Sequence, residues 1–500
     1  MDTLMMQKIN KAILVLLPVE AVFFIYQLAA FAGEPPRPNP VMSYDPHIGT
    51  TEPFYPYGWY VNSDFYDHTF MEQAGGGNTL IFQTHGTPES YMSLFSILDM
   101  ARSHNKKVIV LFLAPTFMMG VDPCDPNTYG GLKSFVNAYK NDSALLCWLL
   151  GDENEYNFPG TAQDIVNSAY VINHILDGNH QVWQNFSNFG YNDQHLPEEP
   201  IRELPYLEET TVYSMDTLPF RVEYEPNSFM NVQWWQNALY RMGQKAVEDG
   251  VACAHVPQGA GFNTNPEPAV PSEWRLPTRK ELRWNAFSAI AATGSRGTMY
   301  WMHNPNWYTD PNVFYNWQAN VAESVFSELG MIVHGMETGY NVGMVDVNWT
   351  DKVWDNSGGW IQNYDRITQL LVYDTFVSRY FLIVTNNGTT AQNVSFTISN
   401  LPAPLADSNA LVYDEANTGE IVRLINLGGG SYRLSDTMQR FDVLIYRIDA
   451  KASGCDEAIA QKGYGITGDL NSDCYVDFTD FTVFAQNWLG CVETQQVNCN

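Results

Sequence analysis

The sequence predicts an α/β protein: a (β/α)8 TIM barrel followed by an antiparallel β-sandwich and a small helical calcium-loop module. Three observations predict this. Between about Phe54 and Gly335 short apolar runs alternate with helix-like segments, the signature of parallel strands joined by crossover helices. Beyond that stretch the pattern changes to two-residue alternation punctuated by turn signals. Near the end, oxygen-bearing side chains fall at the spacing of a calcium loop. The chain has 500 residues, more than one hydrophobic core of about 250–300 residues accommodates, so several folded units are required.

The eight barrel strands are Tyr57–Tyr60, Thr79–Phe82, Val108–Phe112, Leu145–Leu150, Gln181–Gln184, Thr211–Ser214, Val251–Ala254 and Gly297–Trp301. Between them, apolar residues recur at three- and four-residue spacing over Ser90–His104 and Arg279–Thr293, and a last helix is expected around Asn320–Leu329. The segments that follow give a barrel over 33–335, a β-sandwich over 336–448 with turns at Asn386-Asn387-Gly388 and Gly428-Gly429-Gly430, a linker over 449–465, and a terminal module over 466–500. Residues 1–32 read as an export signal: Lys8 and Lys11 precede or open an apolar stretch that ends in the small-x-small site Ala30-Phe31-Ala32. The expected location is therefore secreted or at the cell surface. Seven cysteines are present; Cys455, Cys474, Cys491 and Cys499 crowd the tail, where an oxidising compartment permits disulfides, whereas Cys147 and Cys253 sit in apolar strands as small buried side chains.

A formal charge of -29 repels nucleic acid and anionic membrane surfaces, so a neutral partner fits better. Aromatic residues make up 14% of the chain, which suits sugar-binding clefts and also suits large barrels that bury aromatics. In the tail, Asp469, Asn471, Asp473, Asp477 and Asp480 occupy loop positions 1, 3, 5, 9 and 12, with Tyr475 offering its carbonyl at position 7, so Ca²⁺ is the expected structural ion. This loop resembles that of dockerin modules, which implies a cohesin-like or cell-surface partner. It departs from them in carrying Cys474 at position 6, where Gly is usual, and in being single.

Active sites of such barrels lie at the C-terminal ends of the strands. There the fourth strand delivers Asp152, Glu153 and Glu155. Crowded carboxylates resist simultaneous ionisation, so one is expected to hold a proton, as a general acid must. Helix capping by Asp152 is the structural alternative. The run from Phe135 to Trp148 with Gly151-Asp152-Glu153 resembles the fourth-strand region of retaining (β/α)8 glycoside hydrolases, as do Phe54-Tyr55-Pro56-Tyr57-Gly58 and Trp274–Thr278 with Glu281, Ala289, Gly294 and Gly297. The resemblance implies an acid/base role for Glu153 and a carbohydrate substrate, with no cofactor for catalysis. It also implies a glutamate nucleophile ending the seventh strand, where this chain has Gln258, an amide that cannot form a glycosyl ester. Three accounts stay open: Asp216 after the sixth strand supplies the nucleophile, a base activates water, or the barrel binds glycan without cutting it. Trp59, Gln83, His85, Asn185, Tyr213, Trp301 and His303 complete the candidate cleft.

Overall fold

The computed structural model describes residues 37–61, 77–84, 88–112, 118–157, 160–187, 204–217, 229–259, 276–303, 308, 310–338, 344–347, 352–355, 362–374, 376–388, 390–401, 403–405, 409–450 and 481–485. The expected export signal, the expected linker beyond Ala450 and the calcium-loop residues Asp469, Asn471, Asp473, Tyr475, Asp477 and Asp480 lie outside the described residues, as does His85, while Asp449, expected to open the linker, is still strand.

An antiparallel hairpin opens the described chain: β1 (Val41–Asp45) pairs with β2 (Thr50–Phe54). Sequence reading gave no strand here. Val41 is fully buried with the interior residues of the barrel, and the Met42 N–H donates to Gln181 Oε1 at 2.7 Å, so the hairpin covers the end of the barrel where strands begin.

Eight parallel strands follow and close: β3 (Tyr57–Val61), β4 (Thr79–Thr84), β5 (Lys107–Phe112), β6 (Leu145–Asp152), β7 (Gln181–Phe186), β8 (Val212–Thr217), β9 (Ala252–Pro257) and β10 (Thr298–His303), with β10 paired to β3. All eight coincide with the apolar runs of the sequence. Parallel strands are covered on both faces, which is why they read as continuous apolar segments rather than alternating ones. Ile81, Ile109, Leu111, Leu149, Trp183, Val212, Ala254, Val256 and Met299 fill the interior, while Val110, Trp148, Val182 and Cys253 face the helices. Cys147 and Cys253 are buried as expected, and burial pushes the Cys253 thiol up to about 12.

The helical layer includes α1 (Pro88–Ser103), α2 (Gly130–Tyr139), α3 (Ala162–Val171), α4 (Phe229–Asp249), α5 (Arg279–Thr293), α6 (Pro311–Trp317) and α7 (Glu323–Thr338). A wide turn, Gln318–Ala322, joins the last two, so the helical stretch expected at Asn320–Leu329 is longer at both ends. Helix α5 shows how local chemistry sets boundaries. Thr278 accepts from the Glu281 N–H while the Glu281 carboxylate takes the Thr278 N–H, a capping box, and Gly294 ends the helix in the left-handed region at φ 71°. Three of the residues that carry the family resemblance therefore have work in helix termination.

Beyond the barrel, β11 (Met344–Val347), β16 (Gln392–Ser399), β20 (Ser431–Met438) and β19 (Ile425–Gly428) form one antiparallel sheet; β14 (Ile367–Asp374), β15 (Arg379–Asn386), β21 (Val443–Asp449), β17 (Asn409–Tyr413) and β18 (Glu420–Arg423) form a second. A separate hairpin joins β12 (Lys352–Asp355) to β13 (Gln362–Asp365). Phe396, Leu434 and Met438 from the first sheet share a core with Leu371, Leu382 and Tyr446 from the second, which makes the pair a sandwich. The opposite face of the second sheet packs on the barrel: Leu370, Val372, Phe381 and Ile383 belong to the same apolar cluster as Trp284 and Phe287 of α5. Trp284 Nε1 donates to Asn387 Oδ1 at 3.1 Å across this junction.

Candidate active site

At the C-terminal mouth the end of β6 departs from regular strand geometry. Pairing with β7 shifts register between Leu149 and Asp152, and the backbone is left-handed at Gly151 (φ 82°) and at Glu153 (φ 49°). A Cβ at Gly151 would stand 2.0 Å from Asn154 Oδ1, so a side chain there would have to displace the buried Asn154 amide as well as take up the left-handed backbone. For Glu153 the left-handed conformation costs about 1–2 kcal/mol. It is held there by its own N–H donating to Asn185 O at 3.0 Å and by its carbonyl accepting from the Asn157 N–H at 2.7 Å. Strain of this kind at a barrel mouth is a mark of functional residues. The kink also lets two adjacent residues, Asp152 and Glu153, both belong to the mouth, which a regular strand would not allow.

Asp152 is tied to β7 and β8. One Asn185 Nδ2 donates to Asp152 Oδ1 and to Asp216 Oδ1, each at 2.9 Å. Asn185 Oδ1 accepts from the Ser214 hydroxyl at 2.7 Å, and Ser214 Oγ accepts from Trp183 Nε1 at 2.5 Å. The two accepting carboxylate oxygens are therefore less than twice 2.9 Å apart, and about 5 Å apart if both N–H bonds point straight at them.

Burial raises the Asp152 carboxyl above the ordinary carboxylate range, opposed by the hydrogen bond from Asn185. Tyr60, fully buried on β3, is pushed well above the usual phenol range by desolvation first and then by Asp152, Asp216 and Glu153. The three acids and the phenol thus share one electrostatic environment, in which protonation of one acid relieves the others.

The remaining candidates divide by the face of the strand they occupy. Gln83 lies two residues after the interior Ile81 on β4 and is partly exposed. Gln258, fully buried, bridges to Trp301, which packs partly buried against the interior core. Three expected cleft residues are placed elsewhere. The Tyr213 hydroxyl donates to Asp249 Oδ2 at 2.7 Å at the end of α4, on the outer face of β8. Trp59 lies edge-on to Tyr300, Phe314, Trp317 and Phe326 in the layer between strands and helices. His303, beyond a register shift in β10, hydrogen-bonds Gln318 at 3.1 Å, and burial lowers it to about 4. Sequence reasoning missed Tyr60, Ser214 and Trp183. The signal was available, because Trp183 and Asn185, and likewise Ser214 and Asp216, share a face by two-residue periodicity.

Fold and site together define a (β/α)8-barrel protein with a hydrogen-bonded carboxylate cluster at its mouth and a sandwich packed on its flank. No family model matches the chain, and no curated protein matches it. Among solved structures it is similar to one described as a glycoside hydrolase, at 12% identity and TM-score 0.50, over 84% of this chain and 98% of that one. A family 51 alpha-L-arabinofuranosidase from Bifidobacterium longum aligns at 10% identity and TM-score 0.48, over 82% and 97% of the two chains. A glycoside hydrolase family 5 protein from Bacteroides vulgatus aligns at 12% identity and TM-score 0.48, over 82% and 93%. At these identities the likeness concerns the fold.

Proposed function

We propose that the chain is a secreted or cell-surface glycosidase acting on an extracellular poly- or oligosaccharide, with Glu153 as the proton donor and Asp216 as its partner carboxylate. The observation that carries this reading is the joining of Asp152 and Asp216 through one Asn185 amide at the barrel mouth, with Glu153 held in a strained backbone beside them. Glycosidic cleavage needs one protonated and one ionised carboxyl near the same bond, and a buried acidic cluster separates the two states by environment. Gln83 and Trp301, both partly exposed on the interior face, supply a hydrogen-bonding amide and an aromatic surface for a sugar ring.

Gln258 favours a second reading, a noncatalytic glycan-binding or surface-display protein, because a neutral, fully buried amide ends the seventh strand. Incubating the mature chain with a panel of plant, algal and microbial glycans and reading released reducing ends separates the two. Release that vanishes in Asp216→Asn, with sugar binding kept, supports the glycosidase. Binding without release from any glycan supports the second reading.

We also propose that Asp469, Asn471, Asp473, Tyr475, Asp477 and Asp480 hold a structural Ca²⁺ in a dockerin-like module over 466–500, with a cohesin-like or cell-surface partner. Calorimetric titration of the chelator-treated chain is expected to show one Ca²⁺ bound, and none after Asp469→Ala with Asp473→Ala. Undiminished binding in that variant would remove the assignment.

A further inference from the structure

We propose that Asn185 is a positioning residue for this site: oriented by Ser214, its amide spans Asp152 and Asp216 and fixes both their separation and the donor each keeps. The inference rests on the glycosidase reading for its chemical purpose, while the geometry stands apart from it.

An amide nitrogen has two hydrogens, and here each is directed at a different carboxylate. The amide could in principle turn over, which would bring its oxygen against two acids. Ser214 opposes that. Its oxygen takes the Trp183 indole N–H, a donor that cannot be reversed, so the hydroxyl proton is free to go to Asn185 Oδ1 at 2.7 Å; the alternative acceptor, Gln184 O, is at 3.3 Å. Trp183 and Ser214 are 0% exposed, Asn185 is 1% and Asp216 is 3%, so water is poorly placed to replace a lost donor. The relay runs from the interior of β7 to β8, back to β7, and then outward to both acids. A single side chain thereby couples the ends of the fourth and sixth barrel strands.

The charged and titratable groups facing the amide are Asp152 and Glu153 from the end of β6, Asp216 from β8 and Tyr60 from β3. Desolvation raises Asp152, and the Asn185 hydrogen bond pulls it back down. A carboxyl whose folded pKa exceeds its unfolded one contributes stability at low pH that is lost as pH rises through the folded value. Removing the Asn185 donor moves that folded value further up, so a variant without it loses more stability at high pH than at low pH.

The test compares Asn185→Leu, Ser214→Ala and Ser214→Thr with the native chain by thermal melting from pH 4 to pH 9. Asn185→Leu is expected to lower the midpoint more at pH 8 than at pH 5, Ser214→Ala to show the same trend more weakly, and Ser214→Thr, which keeps the hydroxyl, to recover the native profile relative to Ser214→Ala. Equal lowering at every pH in both Asn185→Leu and Ser214→Ala would mean that the relay only supports packing and would overturn the proposal. If Asn185→Leu does not fold, the two Ser214 variants decide. On any glycan the native chain cleaves, Ser214→Ala is expected to reduce kcat by about tenfold or more with little change in KM, since misplaced catalytic groups act on the chemical step; a change in KM alone counts against it. The pH signature without cleavage of any glycan would leave the relay standing and remove the glycosidase reading, so the two fail separately.

Discussion

Under the proposed glycosidase function, Glu153→Gln is expected to lower turnover by about 10²–10⁴-fold, the range that positioned proton transfer contributes, while leaving folding and sugar binding intact. Glutamine keeps the length and the hydrogen-bonding oxygen of glutamate but cannot deliver a proton to a glycosidic oxygen. Position 153 is the right one to test first because its backbone is set by the surrounding chain rather than by its own preference. Its φ of 49° is unfavourable for Glu, and two main-chain hydrogen bonds, to Asn185 O and from the Asn157 N–H, keep it there. Since Glu and Gln meet the same backbone penalty, the substitution changes the chemistry alone. A companion variant, Glu153→Gly, removes the penalty as well and is expected to lose activity without losing stability, as glycine enters the left-handed region freely. The measurement is reducing-end release at fixed pH alongside a melting curve. Undiminished release by Glu153→Gln would assign proton donation elsewhere, and Asp152, already raised by burial, would be the next residue to replace.

Most of the barrel was legible because parallel strands covered on both faces are written as unbroken apolar runs; Leu145–Leu150 could hardly be anything else. The site was legible in part, and the reason lies in strand parity. Choosing Asp216 as an inward residue of β8 commits Ser214 to the interior and Tyr213 to the helices, because successive side chains point to opposite faces. Tyr213 is bound to Asp249 on that outer side, and Ser214 holds Asn185. The same rule separates Trp59 from Tyr60 on β3, where the larger aromatic packs outward and the phenol faces the acids. Parity fails at the end of β6, where the Gly151 kink puts adjacent residues in one mouth; the glycine was visible, but its left-handed geometry was not. The β1–β2 hairpin was missed because Pro53 and the polar run Thr50-Thr51-Glu52 give it no apolar periodicity, and its place is fixed by the barrel end it covers.

The largest structural effect is expected away from the mouth, at the junction that fixes the sandwich to the barrel. Arg283 of α5 is 1% exposed; it pairs with Glu328 of α7 at 2.5 Å and reaches into the sandwich, donating to the main-chain carbonyls of Val443 and Tyr413. Arg279 meets the other Glu328 oxygen at 2.5 Å. Burial lowers Arg283 and raises Glu328, in each case as the leading cause, so desolvation outweighs their attraction. A pair of this kind adds little net stability when intact and is costly when halved, since the survivor is a buried charge without its partner. Glu328→Leu is therefore expected to cost about 3–5 kcal/mol, read as a lower urea midpoint. Adding Arg283→Met should recover a large share of that loss, because both desolvation penalties disappear together. Recovery should stop short of the native value, since the Val443 and Tyr413 carbonyls then lose their donor and an unpaired buried acceptor costs about 1–3 kcal/mol. A double variant no more stable than Glu328→Leu would mean that the arginine's bonds to the sandwich, rather than the ion pair, hold the two units together.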